Sequence, residues 1–313
     1  MKSLPKIAIS IGDLNGIGIE IALKSHTKIK KICSPIYCIN QKMLEQASNL
    51  LNIEVPQNFN IFETYGEFKI NPSQVTKDAG LYSYNSFIDA INLANKKDVE
   101  AICTLPINKE SWSKADIKYK GHTEVLRVLY KKDAIMMLGC PSMYVALFTE
   151  HIALKDVAKN IKYEKLLSFL KDFYSCTKAS KIAVLALNPH AGDNGVLGEE
   201  EKEIKKAIQE ANSFLKDEIF FGPMVPDTIF SPKARQSFTY FIAMYHDQGL
   251  APLKALYFDE SINISLNLPI IRTSVDHGTA FDIAYKNKNP NTKSYINAIN
   301  EAVRLSDETR RLL

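Results

Sequence analysis

Lys6-Ile7-Ala8-Ile9-Ser10-Ile11-Gly12-Asp13-Leu14-Asn15-Gly16-Ile17-Gly18 sets the pattern on which the fold class rests. Residues 7–11 are an apolar run of buried-strand length, and a helical pattern over 16–24 follows directly. The glycines between them allow a tight turn. A strand that hands over to a helix in this way is half of a βαβ unit, so parallel strands are expected.

The alternation continues along the chain. Residues 36–40 read as a strand before a helix over 43–51, and Phe87, Ile88, Ile91 and Leu93 fit one helix face. Strands are predicted over 101–105, 182–187 and 240–244, and helices over 163–174, 199–214 and 296–312. Apolar runs at 134–138 and 144–148 flank Gly139-Cys140-Pro141-Ser142, a hairpin signal that places an antiparallel element near the middle. The sum is an α/β fold with a largely parallel sheet. No repeat, low-complexity segment or long linker interrupts it. Two domains that share a sheet, or that the chain crosses more than once, fit better than beads on a string.

At 313 residues there is room for two domains. A net charge of +4, without a Lys/Arg stripe interleaved with aromatics, argues against a nucleic-acid partner. Lys28, Lys30 and Lys31 read as a solvated run. The cysteines, Cys33, Cys38, Cys103, Cys140 and Cys176, form no C-x-x-C and read as reduced, mostly buried thiols of a cytoplasmic protein. The first apolar run is too short for a signal peptide or a membrane span, so no membrane partner is expected.

Polar chemistry concentrates in Tyr245-His246-Asp247-Gln248-Gly249-Leu250-Ala251-Pro252-Leu253-Lys254, then Asn263, then Arg272-Thr273-Ser274-Val275-Asp276-His277-Gly278-Thr279-Ala280. The first stretch reads as a polar loop between the apolar runs 241–244 and 264–271. Lys254 as a point charge and Arg272 as a fork suit a phosphate or carboxylate; a solvated rim is the competing reading. Asn263, Ser265 and Asn267 alternate with Ile264, Leu266 and Leu268, which puts Asn263 on a polar strand face.

His26 sits among lysines and reads as surface, whereas His122, His151, His190, His246 and His277 lie beside strand-like runs. Three imidazoles arriving from strand ends can bind a divalent metal and leave positions open for substrate. Their spacing carries no metal signature, so scattered loop histidines remain an alternative. In Gly121-His122-Thr123-Glu124, Thr123 is a candidate helix cap, and His122 at a helix N-terminus would have a lowered pKa. Residues 12–18 do not match G-x-G-x-x-G, and no acid closes a second strand about 20 residues on, so they fail as a Rossmann fingerprint. A tight turn and an anion-facing helix start both stay open.

Taken together, these residues resemble the 4-hydroxythreonine-4-phosphate dehydrogenase family of vitamin B6 biosynthesis. The landmarks run in order nearly end to end: Gly12-Asp13, Gly16-Ile17-Gly18, Glu20, Gly121-His122-Thr123-Glu124, Asn188-Pro189-His190-Ala191-Gly192, Pro226-Asp227-Thr228, Tyr245-His246-Asp247-Gln248-Gly249, and the stretch from Arg272 to Ala280. The resemblance implies a metal on His151, His190 and His246, and substrate contacts from His122, Thr123, Lys254, Asn263 and Arg272. It leaves His122 as base or hydrogen-bond partner, and offers Asp227 and Asp247 as groups that orient the ligand imidazoles.

The family also looks related to the isocitrate and isopropylmalate dehydrogenases, which bind NAD(P) through a loop similar to His277, Gly278, Thr279, Ala280 and Asp282. The implied fold is two α/β/α domains with largely parallel sheets and the active site in the cleft between them. Residues 1–125 with 260–313 would form the first domain and 126–259 the second. A homodimer with active sites shared between subunits is also implied. The implied activity is oxidation of 4-phosphooxy-L-threonine by NAD or NADP to a β-keto acid that loses CO2 to give 3-amino-2-oxopropyl phosphate. Zinc, cobalt or magnesium would assist, and imidazole ligands suit zinc, cobalt or nickel better than magnesium.

Some positions depart from the family. Leu14-Asn15 stands where it usually has Pro-Ala, Ile19 where it has Pro, and residues 257–261 where it has a glycine-rich loop. Tyr285 and Asn287 lie near glycines of the related dehydrogenases. Other readings are a paralogue oxidising threonate or erythronate phosphate, a metal-dependent phosphohydrolase, and a sugar-phosphate sensor without catalysis.

Overall fold

The structure is a computed structural model that describes residues 3–312. Its strands are β1 (Lys6–Ser10), β2 (Ser34–Cys38), β3 (Ile61–Phe62), β4 (Ala101–Thr104), β5 (Ile135–Cys140), β6 (Met143–Leu147), β7 (Ile182–Leu185), β8 (Phe220–Met224), β9 (Tyr240–Ala243), β10 (Ile262–Leu266) and β11 (Ile271–Val275). The chain divides into two compact units. One holds residues up to Lys132, Ile262–Ile264 and the chain from Leu268 onward; the other holds Asp133–Ser261 and Ser265–Asn267. β10 is thus divided between them.

In the first unit the strand order is β3-β2-β1-β4-β11, every pair parallel. β1 and β4 are buried on both faces, as expected of central parallel strands covered by helices. Helix Lys77–Asn95 begins where Thr76 accepts the Ala79 N–H, and packs Phe87, Ala90 and Ile91 beside Ala8, Ile102 and Trp112. Each such fully buried large side chain contributes on the order of 1.5–3 kcal/mol. Gly12 follows β1 at φ 72°, and a Cβ there would lie 2.3 Å from the Pro106 carbonyl, so only glycine fits the turn. Helix Gly18–Ile29 then starts, as the opening stretch predicts.

The second unit has the order β5-β6-β9-β7-β8. β5 and β6 form the expected antiparallel hairpin, and the remaining pairs are parallel. β8 carries no strand signal in the sequence, because Gly222 and Pro223 interrupt its apolar pattern. The residues expected to form a polar loop after β9 are instead a helix, His246–Tyr257, with Pro252 inside it. Gly249 lets that helix lie against the sheet, since a Cβ there would be 2.4 Å from Val145 Cγ1 and 2.8 Å from Ala243 Cβ. The apolar run 264–271 is two strands, β10 and β11, divided near Asn267 at φ 60°. Asn263 is half-buried rather than on an open polar face, and Ser265 beside it is buried.

His26 is also buried, not on the surface. Its Nδ1 lies 3.0 Å from the Tyr37 hydroxyl, its ring packs against Phe59, and burial lowers its pKa. Lysines 28, 30 and 31 are exposed as expected, and all five cysteines are free thiols. Among the described residues no helix is long and apolar enough to cross a membrane.

Candidate active site

Two clusters, one in each unit, contain most of the residues singled out above. In the first unit Arg272, on β11, is only 3% exposed. Its Nε and Nη2 donate to Thr104 Oγ1 at 3.2 and 2.8 Å, and Nη2 lies 3.3 Å from His122 Nδ1. Burial lowers the Arg272 pKa to about 10, so it keeps its charge at neutral pH. The His122 pKa is pushed well below its ordinary value, first by burial and then by Arg272. His122 is the first residue of helix His122–Tyr130. Thr123 does not cap that helix: the cap position is Gly121, without a side chain, and Glu124 Oε2 accepts the Lys120 N–H at 2.5 Å. Thr123 and Asn263 are half-buried. A buried guanidinium beside a neutral imidazole is equipment for an anion.

Residues 277–282 belong to the same unit. The Ile17 N–H, at the start of helix Gly18–Ile29, donates to the Thr279 carbonyl at 3.0 Å, and a Cβ on Gly16 would lie 2.8 Å from that oxygen. The helix start that a dinucleotide phosphate would need therefore holds the backbone of this loop. The Tyr285 hydroxyl donates to the Leu14 carbonyl at 2.6 Å and Ser73 Oγ to the Phe281 carbonyl at 2.5 Å. Tyr285 and Asn287 take φ of 58° and 54°, the left-handed region that glycine enters freely and other residues rarely do. At Gly278 a Cβ would meet nothing within 4 Å, and Asp282 is exposed, so the loop presents open backbone.

In the second unit, β6, β9 and β7 are parallel neighbours, and His151, His246 and His190 follow their carboxyl ends, where α/β folds place their sites. The rings of His151 and His246 are 5.5 Å apart, centroid to centroid. Thr149 Oγ1 donates to the Met244 carbonyl at 2.6 Å, joining the two segments that carry them. Gln248 accepts the Met244 N–H at 2.8 Å and donates to the Ala186 carbonyl at 2.7 Å, which fixes the helix start at His246. Asp247 Oδ1 lies 2.7 Å from His246 Nδ1, leaving Nε2 as the nitrogen to ligate.

His190 is exposed in a left-handed turn, with φ positive from His190 through Asn194. The preceding Asn188 is tied to Glu200 and Glu201 at 2.7 and 3.0 Å. Non-glycine residues in that region are each strained by roughly 1–2 kcal/mol. Among the described residues no group of three His, Cys, Asp or Glu is arranged to hold a metal, and the two of these histidines whose rings meet are His151 and His246. The donor chemistry of the pair suits a borderline divalent ion. Asp227 is exposed, and Lys254, half-buried, lies over the Phe258 ring.

Sequence reasoning missed Thr104, Gln248 and Glu201. Thr104 was visible only as the last polar residue of an apolar strand. Gln248 pairs with the Met244 N–H and the Ala186 carbonyl, and Glu201 accepts the Leu187 and Asn188 N–H groups besides the Asn188 side chain; backbone partners leave no mark in a sequence.

A buried guanidinium beside an imidazole, and two more imidazoles meeting at strand ends, are the groups an α/β enzyme of charged small molecules would use. The profile of the pyridoxal phosphate biosynthetic protein PdxA matches residues 31–302. The chain is 62% identical over 302 residues to the 4-hydroxythreonine-4-phosphate dehydrogenase of Sulfurimonas denitrificans, covering 96% of this chain and 98% of that relative. It is 58% identical to the enzyme of the same name from Campylobacter fetus subsp. fetus, covering 97% and 99%. The crystal structure of 4-hydroxythreonine-4-phosphate dehydrogenase from Klebsiella pneumoniae superposes with a TM-score of 0.84 at 29% identity, covering 98% and 99%. The chain belongs to the PdxA family, the 4-hydroxythreonine-4-phosphate dehydrogenases. It is an oxidoreductase of pyridoxal phosphate biosynthesis.

Proposed function

We propose that the chain oxidises 4-phosphooxy-L-threonine at its 3-hydroxyl with NAD or NADP, forming a β-keto acid that loses CO2 to give 3-amino-2-oxopropyl phosphate. The observation that carries this reading is the buried Arg272–Thr104–His122 cluster, which sets a cation and an imidazole N–H to donate to a phosphate dianion. Arg272 binds the phosphate, and Asn263, Thr123 and His122, all of the same unit, add hydrogen bonds that fix its orientation. Anchoring the far end of the substrate brings the hydroxyl to a defined place, and most of the positioning term in the rate comes from that.

The dinucleotide, when bound, would supply the hydride acceptor, and the loop His277, Gly278, Thr279, Ala280 and Asp282 would hold its adenosine end. That reading is supported by the open backbone at Gly278 and by the Thr279 carbonyl at the helix start. A divalent ion, zinc, cobalt or magnesium, would polarise the hydroxyl when held by His151, His190 and His246. Asp247 fixes the His246 tautomer, and Asp227 is the second carboxylate proposed to orient the ligand set. A homodimer with shared active sites fits the exposed apolar side chains beside two of the histidines: Ile152 and Leu154 after His151, and Val196 and Leu197 after the His190 turn.

The test is a pair of variants. Arg272→Ala should raise KM for the phosphorylated substrate by an amount equivalent to roughly 2–4 kcal/mol, with cofactor affinity little changed. Asp282→Ala should do the reverse. Equal loss of both affinities in either variant, or no loss in both, contradicts the assignment.

A further inference from the structure

We propose that His122 is held as the Nε2–H tautomer and serves the substrate as a hydrogen-bond donor, so that the proton released from the substrate hydroxyl is taken by another group. This rests on the reading of the first-unit cluster as the phosphate site.

A guanidinium can only donate. Arg272 Nη2 lies 3.3 Å from His122 Nδ1, so Nδ1 must present its lone pair and the ring proton sits on Nε2. The guanidinium cannot turn away easily, because Thr104 Oγ1 accepts from both its Nε and its Nη2. The imidazole is fixed as well. Phe87 meets it at 4.5 Å and 72°, Trp112 at 5.6 Å and 81°, and Trp112 Nε1 is anchored on Ser83 Oγ at 2.8 Å.

A general base needs an open lone pair, and neither nitrogen offers one. Nδ1 is engaged by Arg272, and Nε2 already carries the proton. Protonating Nδ1 would set an N–H against the guanidinium N–H groups and place two positive charges side by side. Arg272 is the charged group that faces the ring from β11; Phe87 and Trp112 face it from two helices and do not titrate. Burial and Arg272 both favour the neutral ring. Nε2 itself is buried and has no hydrogen-bond partner among the described residues. A buried N–H in that condition, beside a fixed cation, is matched by an anionic oxygen, and a phosphate supplies one.

The tautomer is read from long-range proton–nitrogen NMR of the full-length protein with labelled histidine, the His122 signals being those lost in His122→Gln. The expected result is a protonated Nε2, a deprotonated Nδ1, and no titration between roughly pH 5 and 8. An Nδ1–H tautomer, or titration near the ordinary value, overturns the proposal. Kinetics give a second reading. Glutamine keeps an N–H donor but cannot act as a base, so His122→Gln should hold kcat within about tenfold, while His122→Leu raises KM for the phosphorylated substrate further than His122→Gln does. A fall in kcat of about 100- to 10,000-fold in His122→Gln would mark a general base and refute the proposal. An Nε2–H tautomer with unchanged KM in both variants would instead overturn the donor role and the phosphate reading beneath it.

Discussion

Thr104→Val isolates the contact that orients the buried cation. The substitution keeps the β-branched shape suited to β4 and removes the one oxygen that accepts two guanidinium hydrogen bonds, at 2.8 and 3.2 Å. A hydrogen bond to a charged group contributes about 1.5–3 kcal/mol. The longer of the two adds little, so the total loss should be on the order of 2–3 kcal/mol. Part of it falls on stability, because Arg272 is buried with or without substrate. About 1–2 kcal/mol should remain as looser orientation of the phosphate, which converts to a rise of about 5- to 30-fold in KM for the phosphorylated substrate. Initial rates of reduced-cofactor formation, with each substrate varied in turn, separate the two KM values. The cofactor KM should stay within about twofold, and Thr104→Ser, which keeps the oxygen, should behave like the parent. An unchanged KM in Thr104→Val, or an equal rise in both KM values, would mean that Thr104 does not orient Arg272 for the phosphate.

Two further outcomes are expected. Asp13 is fully buried, with Oδ1 accepting the Asn15 N–H at 2.9 Å and no hydrogen bond to Oδ2 among the described residues; burial raises its pKa to about 6. A carboxyl whose folded pKa is raised above its unfolded value of about 3.9 adds stability below that value and loses it as pH rises through about 6, at most about 3 kcal/mol. Asp13→Asn should therefore gain in thermal stability relative to the parent between about pH 4 and 8, and parallel melting curves across that range would contradict this. His246→Ala should lose bound metal and nearly all turnover while keeping its fold; stoichiometric metal by elemental analysis together with the parent kcat would rule out the ligand role.

Most of the fold was legible because its strands are short apolar runs and its helices follow them closely. The hairpin at β5 and β6 and the turn at Gly12 both followed from local chemistry. Apart from β8, interrupted by its own Gly222 and Pro223, what escaped detection depends on partners distant in sequence. His26 lies among lysines in the chain, yet tertiary packing buries it against Tyr37 and Phe59. Helix His246–Tyr257 was hidden by Gly249 and Pro252, and the glycine is there for the close approach of Val145 and Ala243. The candidate site divides in the same way. Arg272, His122, His151 and His246 were visible as residue types out of place beside apolar runs. The pairing of Arg272 with Thr104, and the carbonyl of Thr279 at the start of the first helix, depend on geometry that spacing does not carry.

The activity we propose for this chain couples oxidation of a phosphorylated hydroxy amino acid to reduction of a nicotinamide cofactor with the help of a divalent ion. The most direct test is the appearance of NADH or NADPH absorbance when 4-phosphooxy-L-threonine is added to the full-length protein, before and after chelation and after zinc or cobalt is restored. Cofactor reduction is expected with the phosphorylated substrate, with loss on chelation, return with metal, and little activity on 4-hydroxy-L-threonine without the phosphate. Release of inorganic phosphate without cofactor reduction, or full activity on the unphosphorylated compound, would contradict it.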